Sequence, residues 1–276
     1  MTRSVADALL QARSAGLDRL DAQLIVAARL GRSRSWLIAH DDAPLDAPQT
    51  AGIDAWIARR AAGEPLAYVL GEKEFHGLSL QVDARVLVPR PDTEVLVDWA
   101  LELLEKVEAP KVLDLGTGSG AIALAIQHAR RDAKVLATDV SLAALAVAQA
   151  NAQRLGLAVS WLEASWWVGV DERCFDLVVS NPPYIAAGDP HLAALQHEPA
   201  LALSPGGDGL DALREIITGA SERLAAGAWL LLEHGYDQAE AVQHLLREAG
   251  FGAVATHRDL GNQPRCTGGL RVGSTP

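Results

Sequence analysis

The sequence predicts an α/β protein with a mostly parallel sheet, preceded by a small helical bundle and joined to it by a β-hairpin. Three observations carry this. From Lys111 onward, apolar strand-like runs alternate with helix-period runs, the pattern of a sheet covered by helices on both faces. Before about residue 72 the periodicity is helical throughout. Between these regions lies a short stretch that alternates apolar and polar residues around Gly77.

In the first region Val5-Leu9-Leu10, Leu24-Ile25-Ala28, Trp36-Leu37 and Ile53-Trp56-Ile57 recur at helical intervals. Gly16, Gly31 and the Pro44 to Pro48 stretch separate them as turn signals. Asp18 and Asp21 read as helix N-terminal charges, and the tryptophans as core. The alternating stretch Glu74 to Val82 reads as a hairpin, stopped by Pro89 and Pro91. Asp92 or Thr93 then caps a helix running to about Val107. The expected organisation is a helical domain over 1–72, a hairpin connector over 73–91 and a larger domain over 92–276.

Within the larger domain the strand-like runs are Lys111 to Leu115, Lys134 to Asp139, Trp161-Leu162, Phe175 to Ser180, Ala228 to His234 and Gly252 to Asp259. Helical runs cover Ala121 to His128, Ser141 to Leu155, Leu210 to Leu224 and Gln238 to Ala249, and a final hairpin is expected near Arg258 to Val272. The connection from Ile185 to Gly209, about 25 residues, is long for a compact domain and reads as a functional cover or binding loop.

Composition bounds the function. With 276 residues and 49% hydrophobic content, the chain suffices for one large core and a smaller one. No apolar run approaches the ~20 residues of a membrane span, and the opening Met1 to Asp7 lacks a signal peptide's basic start and apolar centre. A cytoplasmic location is therefore expected. Cys174 and Cys266 lie far apart, and the eight histidines show neither H-x-x-x-H nor H-E-x-x-H spacing, so no metal site and no redox pair is expected. The net charge is -11; residues 1–72 hold 9 acids and 8 arginines, leaving 26 acids against 16 bases in the remainder. Such an acidic larger domain argues against binding a phosphate backbone.

The first chemical signal is Gly116-Thr117-Gly118-Ser119-Gly120, set between a strand and a helix so that a nucleoside cofactor can approach the backbone. Gly116-x-Gly118-x-x-Ala121 also satisfies a dinucleotide fingerprint, so a nicotinamide or flavin stays open on the glycines alone. Gly120 and Asp114 shift the reading toward S-adenosylmethionine, whose charged amino group needs an acceptor nearby. Asp139, ending the next strand, lies at the ~20-residue spacing of an acid that binds a ribose diol and serves either cofactor.

The second signal is Asn181-Pro182-Pro183-Tyr184, directly after Phe175 to Ser180. An Asn carboxamide oxygen and a carbonyl freed by the stiff Pro-Pro turn can both accept from one planar NH2, and a Tyr ring can stack on its plane. Such a site holds an amide or amine nitrogen. An isolated Pro-Pro would more simply end a strand, but here it faces the glycine loop across the carboxyl edge of the sheet.

The glycine loop followed by this tetrapeptide resembles the amino-methyltransferases. Pro89-Arg90-Pro91-Asp92-Thr93-Glu94, Gly71-Glu72-x-Glu74-Phe75, Glu198-Pro199, Gly206-Gly207-Asp208-Gly209-Leu210 and Asp259-x-Gly261-x-x-x-Arg265 narrow the resemblance to the protein-glutamine N5-methyltransferases of class I peptide chain release factors. It covers nearly the whole chain. The resemblance implies a Rossmann-like S-adenosylmethionine-dependent sheet and methylation of the glutamine in a Gly-Gly-Gln motif during translation termination. It further implies cofactor contacts from Gly116, Thr117, Gly118, Ser119, Gly120, Asp139, Trp166 and Asn181. Asn181, Pro182 and Tyr184 would be catalytic and with Pro183 would hold the glutamine amide, and the connector is expected to place Arg90 beside the active site as a further substrate-binding residue. The release factor is the expected partner, the 1–72 bundle its recognition domain, and a monomer the default.

Two positions depart from the family pattern. Ser165 precedes Trp166 where an Asp commonly meets the adenine amine, and His76 follows Phe75 where another aromatic is common; His76 reads as a surface residue of the hairpin. Three other functions stay in view: glutamine methylation of a large-subunit ribosomal protein, nucleic-acid adenine methylation, which the charge disfavours, and a non-catalytic adaptor. An adaptor would show an eroded glycine loop, Asp139 or Asn181, and all are intact.

Overall fold

The computed structural model describes residues 3–171 and 174–273, so Met1 and Thr2 of the opening segment lie outside them. The chain divides into two compact units, Met1–Glu72 and Lys73–Pro276.

The first unit is a bundle of α1 (Val5–Ser14), α2 (Arg19–Leu30), α3 (Arg34–Ala39), α4 (Ala47–Ala61) and α5 (Leu66–Leu70). Four of these begin on a side chain that accepts from an otherwise unpaired N–H of the first turn: Ser4, Asp18, Ser33 and Asp46. Pro48, read as part of a turn, sits inside the first turn of α4, where its missing N–H costs no hydrogen bond. Val5, Ile25, Val26, Leu37, Ile53 and Ile57 form the core. Trp36 and Trp56 are at its rim instead of inside, each covered by an arginine guanidinium, Arg32 and Arg29 respectively. Asp21 is more than a helix-end charge, because it is nearly buried and pairs with Arg60 at 2.6 Å.

The second unit opens with a two-stranded sheet, β1 (Glu72–Phe75, its first residue the last of the first unit) and β2 (Leu78–Gln81), then a 3-10 turn at Pro91–Thr93 and α6 (Glu94–Leu104). The hairpin is part of this unit's core: Phe75, Leu78 and Leu80 are buried with Leu96, Val97 and Ala100 of α6. The helix ends at Leu104, short of Val107, and neither Asp92 nor Thr93 caps it with a side chain. The Thr93 hydroxyl is engaged by Asn181 instead, at 3.2 Å.

The remaining elements are β3 (Lys111–Leu115), α7 (Ala121–Ala129), β4 (Lys134–Asp139), α8 (Leu142–Leu155), β5 (Ser160–Glu163), β6 (Phe175–Ser180), α9 (Ala200–Leu203), α10 (Asp211–Ala220), β7 (Leu224–Glu233), α11 (Ala239–Glu248), β8 (Phe251–Arg258) and β9 (Pro264–Arg271). The seven-stranded sheet has the order β5-β4-β3-β6-β7-β9-β8, parallel from β5 through β7, with β9 antiparallel to β7 and β8 antiparallel to β9. Successive side chains on a strand face opposite ways. Val112, Leu177 and Val179 therefore pack toward α6 and α7, while Leu113, Leu115 and Val178 pack toward α10 and α11.

The strand order reverses between β3 and β6, the neighbours at the centre of the sheet. At such a switch point the connections leave in opposite directions and open a crevice at the carboxyl edge. The Ile185 to Gly209 connection is not structureless. It contains a 3-10 turn, Pro190–Leu195, and α9. No helix among the described residues is long and apolar enough to cross a membrane.

Candidate active site

The crevice is built from the ends of β3, β4 and β6. After Leu115 the chain turns through Gly116 and Gly118, at φ 72° and 57°, values that favour glycine. The turn is fastened on two sides. Thr117 donates its N–H to the Thr138 carbonyl at 2.8 Å, and Gly118 donates its N–H to Asp139 Oδ2 at 2.9 Å. Asp139 Oδ1 in turn accepts from the Ser141 N–H at 2.9 Å, so both carboxylate oxygens are oriented by backbone. Burial raises the Asp139 pKa, against these backbone donors.

Asp114 serves the turn, not the crevice. The sequence suggests it as an acceptor for a cofactor amino group, yet it is fully buried. Its Oδ2 takes the Thr117 hydroxyl at 2.6 Å and the Ala123 N–H at 3.2 Å. Burial pushes its pKa up to about 7.

A cavity of ≈ 540 Å³ runs along this edge, within the range of small-molecule sites. Gly116, Gly118, Asp139, Ser165, Trp166, Asn181 and Pro183 line it, joined by Val140, Ser141 and the Pro199 to Ala202 segment. The Trp166 ring lies beside Gly116, where an added Cβ would stand 3.4 Å from it. Thr117, Ser119 and Gly120 do not line the cavity. Thr117 and Ser119 are buried within the turn. Gly120 lets α7 approach α8, since a Cβ there would be 3.0 Å from Leu124 and 3.1 Å from Ala148.

Asn181 leaves β6, whose Ser180 hydroxyl pins the strand to the Leu115 carbonyl at 2.7 Å. Its Nδ2 donates to the Thr93 hydroxyl oxygen, which leaves Oδ1 as the amide atom for a ligand. Pro182 is buried and Pro183 lines the cavity. Tyr184 lies behind, its hydroxyl donating to Glu233 Oε1 at 3.3 Å and its carbonyl accepting from Gln238 Nε2 at 3.0 Å. Burial, and then the Glu233 carboxylate, push the Tyr184 phenol well above its ordinary pKa.

Glu233 ends β7 fully buried, and its pKa is pushed up to about 7 by burial against the opposing pull of the Thr93 hydroxyl, Arg265 and Tyr184. Arg265 bridges Asp259 at 3.0 Å and Asp92 at 3.3 Å. Arg90 does not line the cavity; it is paired with Glu198, whose other oxygen accepts from the Val88 N–H at 3.0 Å. The structure therefore brings Gly116, Gly118, Asp139, Trp166, Asn181 and Pro183 together, and sets Tyr184 and Arg90 behind them.

Sequence reasoning missed Glu233 and gave Thr93 only a capping role. The signal for Glu233 was present: a carboxylate ending the apolar run Trp229-Leu230-Leu231-Leu232, on the strand adjoining the one that leads into Asn181.

Two family models match, the PrmC N-terminal domain over residues 3–71 and the methyltransferase small domain over 93–232. The chain is 50% identical over 257 residues to the release factor glutamine methyltransferase of Bordetella pertussis, covering 92% of this chain and 95% of that one. It is 48% identical over 270 residues to that of Burkholderia pseudomallei, covering 95% of each. Among solved structures, the hMettl16 catalytic domain in complex with MAT2A 3'UTR hairpin 6 superposes with a TM-score of 0.58 at 15% identity, over 84% of each chain. A methyltransferase from Pyrococcus furiosus gives 0.53 at 17% identity, over 83% of this chain and all of the other. These two share the fold. With its glycine turn and Asn-Pro-Pro-Tyr segment at one cavity, and near half identity along almost its full length, the chain belongs to the release factor glutamine methyltransferase family.

Proposed function

We propose that this protein transfers a methyl group from S-adenosylmethionine to the side-chain amide nitrogen of the glutamine in the Gly-Gly-Gln motif of class I peptide chain release factors. The observation that carries the reading is Asn181 lining the same cavity as Asp139, its amide turned so that Oδ1 is the atom available to a ligand.

The residues fit the cofactor. Asp139 offers two oriented oxygens for a ribose diol, and Trp166, Ala164, Val140 and Leu201 form an apolar surround suited to a purine. Gly116 and Gly118 let the backbone approach it, while Thr117, Ser119 and Gly120 hold the turn. S-adenosylmethionine, when bound, supplies an electrophilic methyl group on a sulfonium.

The protein's part is to position a poor nucleophile. An amide nitrogen shares its lone pair with the carbonyl, so it must be held in line and allowed to pyramidalise. Asn181 Oδ1 and the Pro182 carbonyl accept its two N–H groups, stabilising the positive charge that develops on nitrogen. Pro183 packs on the amide plane, while Tyr184, bonded to Glu233, and Arg90, paired with Glu198, back the residues that line the cavity. After transfer the nitrogen loses its proton to solvent, so no general base is needed beforehand.

The release factor is a protein substrate engaged with help from the 1–72 helical unit, by a monomer acting in the cytoplasm without nucleic acid, in keeping with the net charge of -11. The test is incubation with radiolabelled S-adenosylmethionine and, in parallel, a class I release factor, its Gly-Gly-Ala variant, large-subunit ribosomal proteins and duplex DNA. Label on the release factor that is lost in the variant is expected. Label on a ribosomal protein or on DNA instead would reassign the substrate.

A further inference from the structure

Besides the strand ends, two segments far apart in sequence line the cavity. Arg85, Val86 and Leu87 come from the chain between the hairpin and the Pro91–Thr93 turn, and Pro199 to Ala202 from the long connection after Asn-Pro-Pro-Tyr. Among the described residues, neither segment belongs to the two apolar cores of this unit, so core packing does not set their spacing. One carboxylate joins them. Glu198, directly before Pro199, has a side chain only 2% exposed. Its Oε2 accepts from the Val88 N–H at 3.0 Å, directly after Leu87, and its Oε1 accepts from Arg90 Nη2. The other end of the Pro199 to Ala202 wall is also tied, because the Leu203 carbonyl accepts from the Ile185 N–H at 3.0 Å, one residue past Tyr184.

A buried carboxylate is costly to desolvate, and a well-packed apolar side chain would fill the same space at less cost. What the carboxylate adds is a fixed register, since each oxygen is held by a donor of the opposite segment. We infer that Glu198 is a positioning residue for the cofactor: by holding Val88 and Arg90 it sets the spacing between the Pro199 to Ala202 wall and Arg85 to Leu87, and so the shape of the cavity. This gives a task to Glu198-Pro199, which the mechanism uses only as the partner of Arg90. It rests on the reading of this cavity as the place of S-adenosylmethionine.

The experiment compares Glu198→Ala, Glu198→Gln and Asp139→Ala in the full chain. The Kd for S-adenosylmethionine is measured by isothermal titration, kcat and the KM for the cofactor on a purified release factor, and thermolysin cleavage without cofactor is mapped by mass spectrometry. In Glu198→Ala the cofactor should bind about tenfold more weakly, the scale of one net hydrogen bond. Its KM should rise in step, while kcat at saturating cofactor changes far less. Glu198→Gln keeps an oxygen for the Val88 N–H and should recover most of the affinity. Cleavage of Glu198→Ala should increase within residues 185–209 and be suppressed by added cofactor.

A wild-type Kd in folded Glu198→Ala, or an unaltered cleavage pattern, would overturn the inference. So would an equal loss in Glu198→Gln, which would make the charge decisive and not the hydrogen-bonded spacing. Asp139→Ala keeps the two failures apart. If it binds the cofactor like wild type, the cavity reading falls and the inference with it; if it weakens binding and Glu198→Ala does not, the inference alone falls.

Discussion

Asp139 and Gly118 are joined by a 2.9 Å hydrogen bond from the Gly118 N–H to the carboxylate, although they end and begin different βα units. The acid that faces the cavity is therefore also the clamp on the turn that shapes it. Asp139→Ala should weaken S-adenosylmethionine binding by about 10- to 100-fold, the worth of hydrogen bonds to a charged group. Isothermal titration of the folded variant checks this. An unchanged Kd would take Asp139 out of the binding site.

Asn181→Ala should lower kcat by roughly 10²–10³ while leaving the fold intact, the scale of one preorganised transition-state hydrogen bond. Steady-state methylation of a release factor is the measurement, and wild-type turnover in a folded variant would remove Asn181 from the mechanism.

Tyr184 separates ring from hydroxyl. Tyr184→Ala removes the ring that backs Asn181 and Pro183 and should chiefly raise KM for the release factor. Tyr184→Phe keeps the ring but takes from Glu233 the donor now 3.3 Å away. Its turnover should fall only mildly, while thermal unfolding should show a cost of about 1–3 kcal/mol for the buried acceptor left unpaired. A severe kinetic loss in the Phe variant would assign the hydroxyl a larger part.

Asp114 predicts a pH dependence of stability. Its folded pKa of about 7 lies above the ordinary 3.8, and burial is the main cause. The folded state thus binds the proton more tightly than the unfolded chain. The associated stability is fully present below about pH 3.8 and is lost as pH rises through 7. Glu233 titrates with the same sign between 4.5 and about 7. Urea unfolding across this range should show a contribution that declines with pH, and Asp114→Asn, which cannot ionise, should flatten the decline. An unaltered slope in the variant would show that Asp114 does not titrate there.

Gly120→Ala meets two obstacles at once, a φ of 84° and a Cβ pressed between Leu124 and Ala148. It should destabilise by at least about 1–2 kcal/mol, the cost of a left-handed backbone alone. Gly118→Ala, with nothing within 4 Å of the added carbon, should cost only the backbone term. Equal melting temperatures for the two variants would contradict the packing argument.

The sequence by itself determined the local pieces. Alternating strand and helix periods marked the βα units, and the glycine spacing with Asp139 and the Asn-Pro-Pro-Tyr segment marked two halves of a site, because each is written in contiguous residues whose backbone needs are local. Tertiary structure alone decided which residues stand behind them. Thr93, distant in sequence, reaches Asn181, and Glu233, 49 residues beyond Tyr184, reaches that tyrosine, because β6 and β7 are neighbours in the sheet and the turn before α6 lies at the end of β6. No periodicity records that meeting. The same physics moved Asp114 from ligand to support: the strand that carries it is covered on both faces, so its carboxylate finds Thr117 and Ala123 where the sequence suggested a cofactor. Sheet order, fixed by long-range pairing, decides such partnerships.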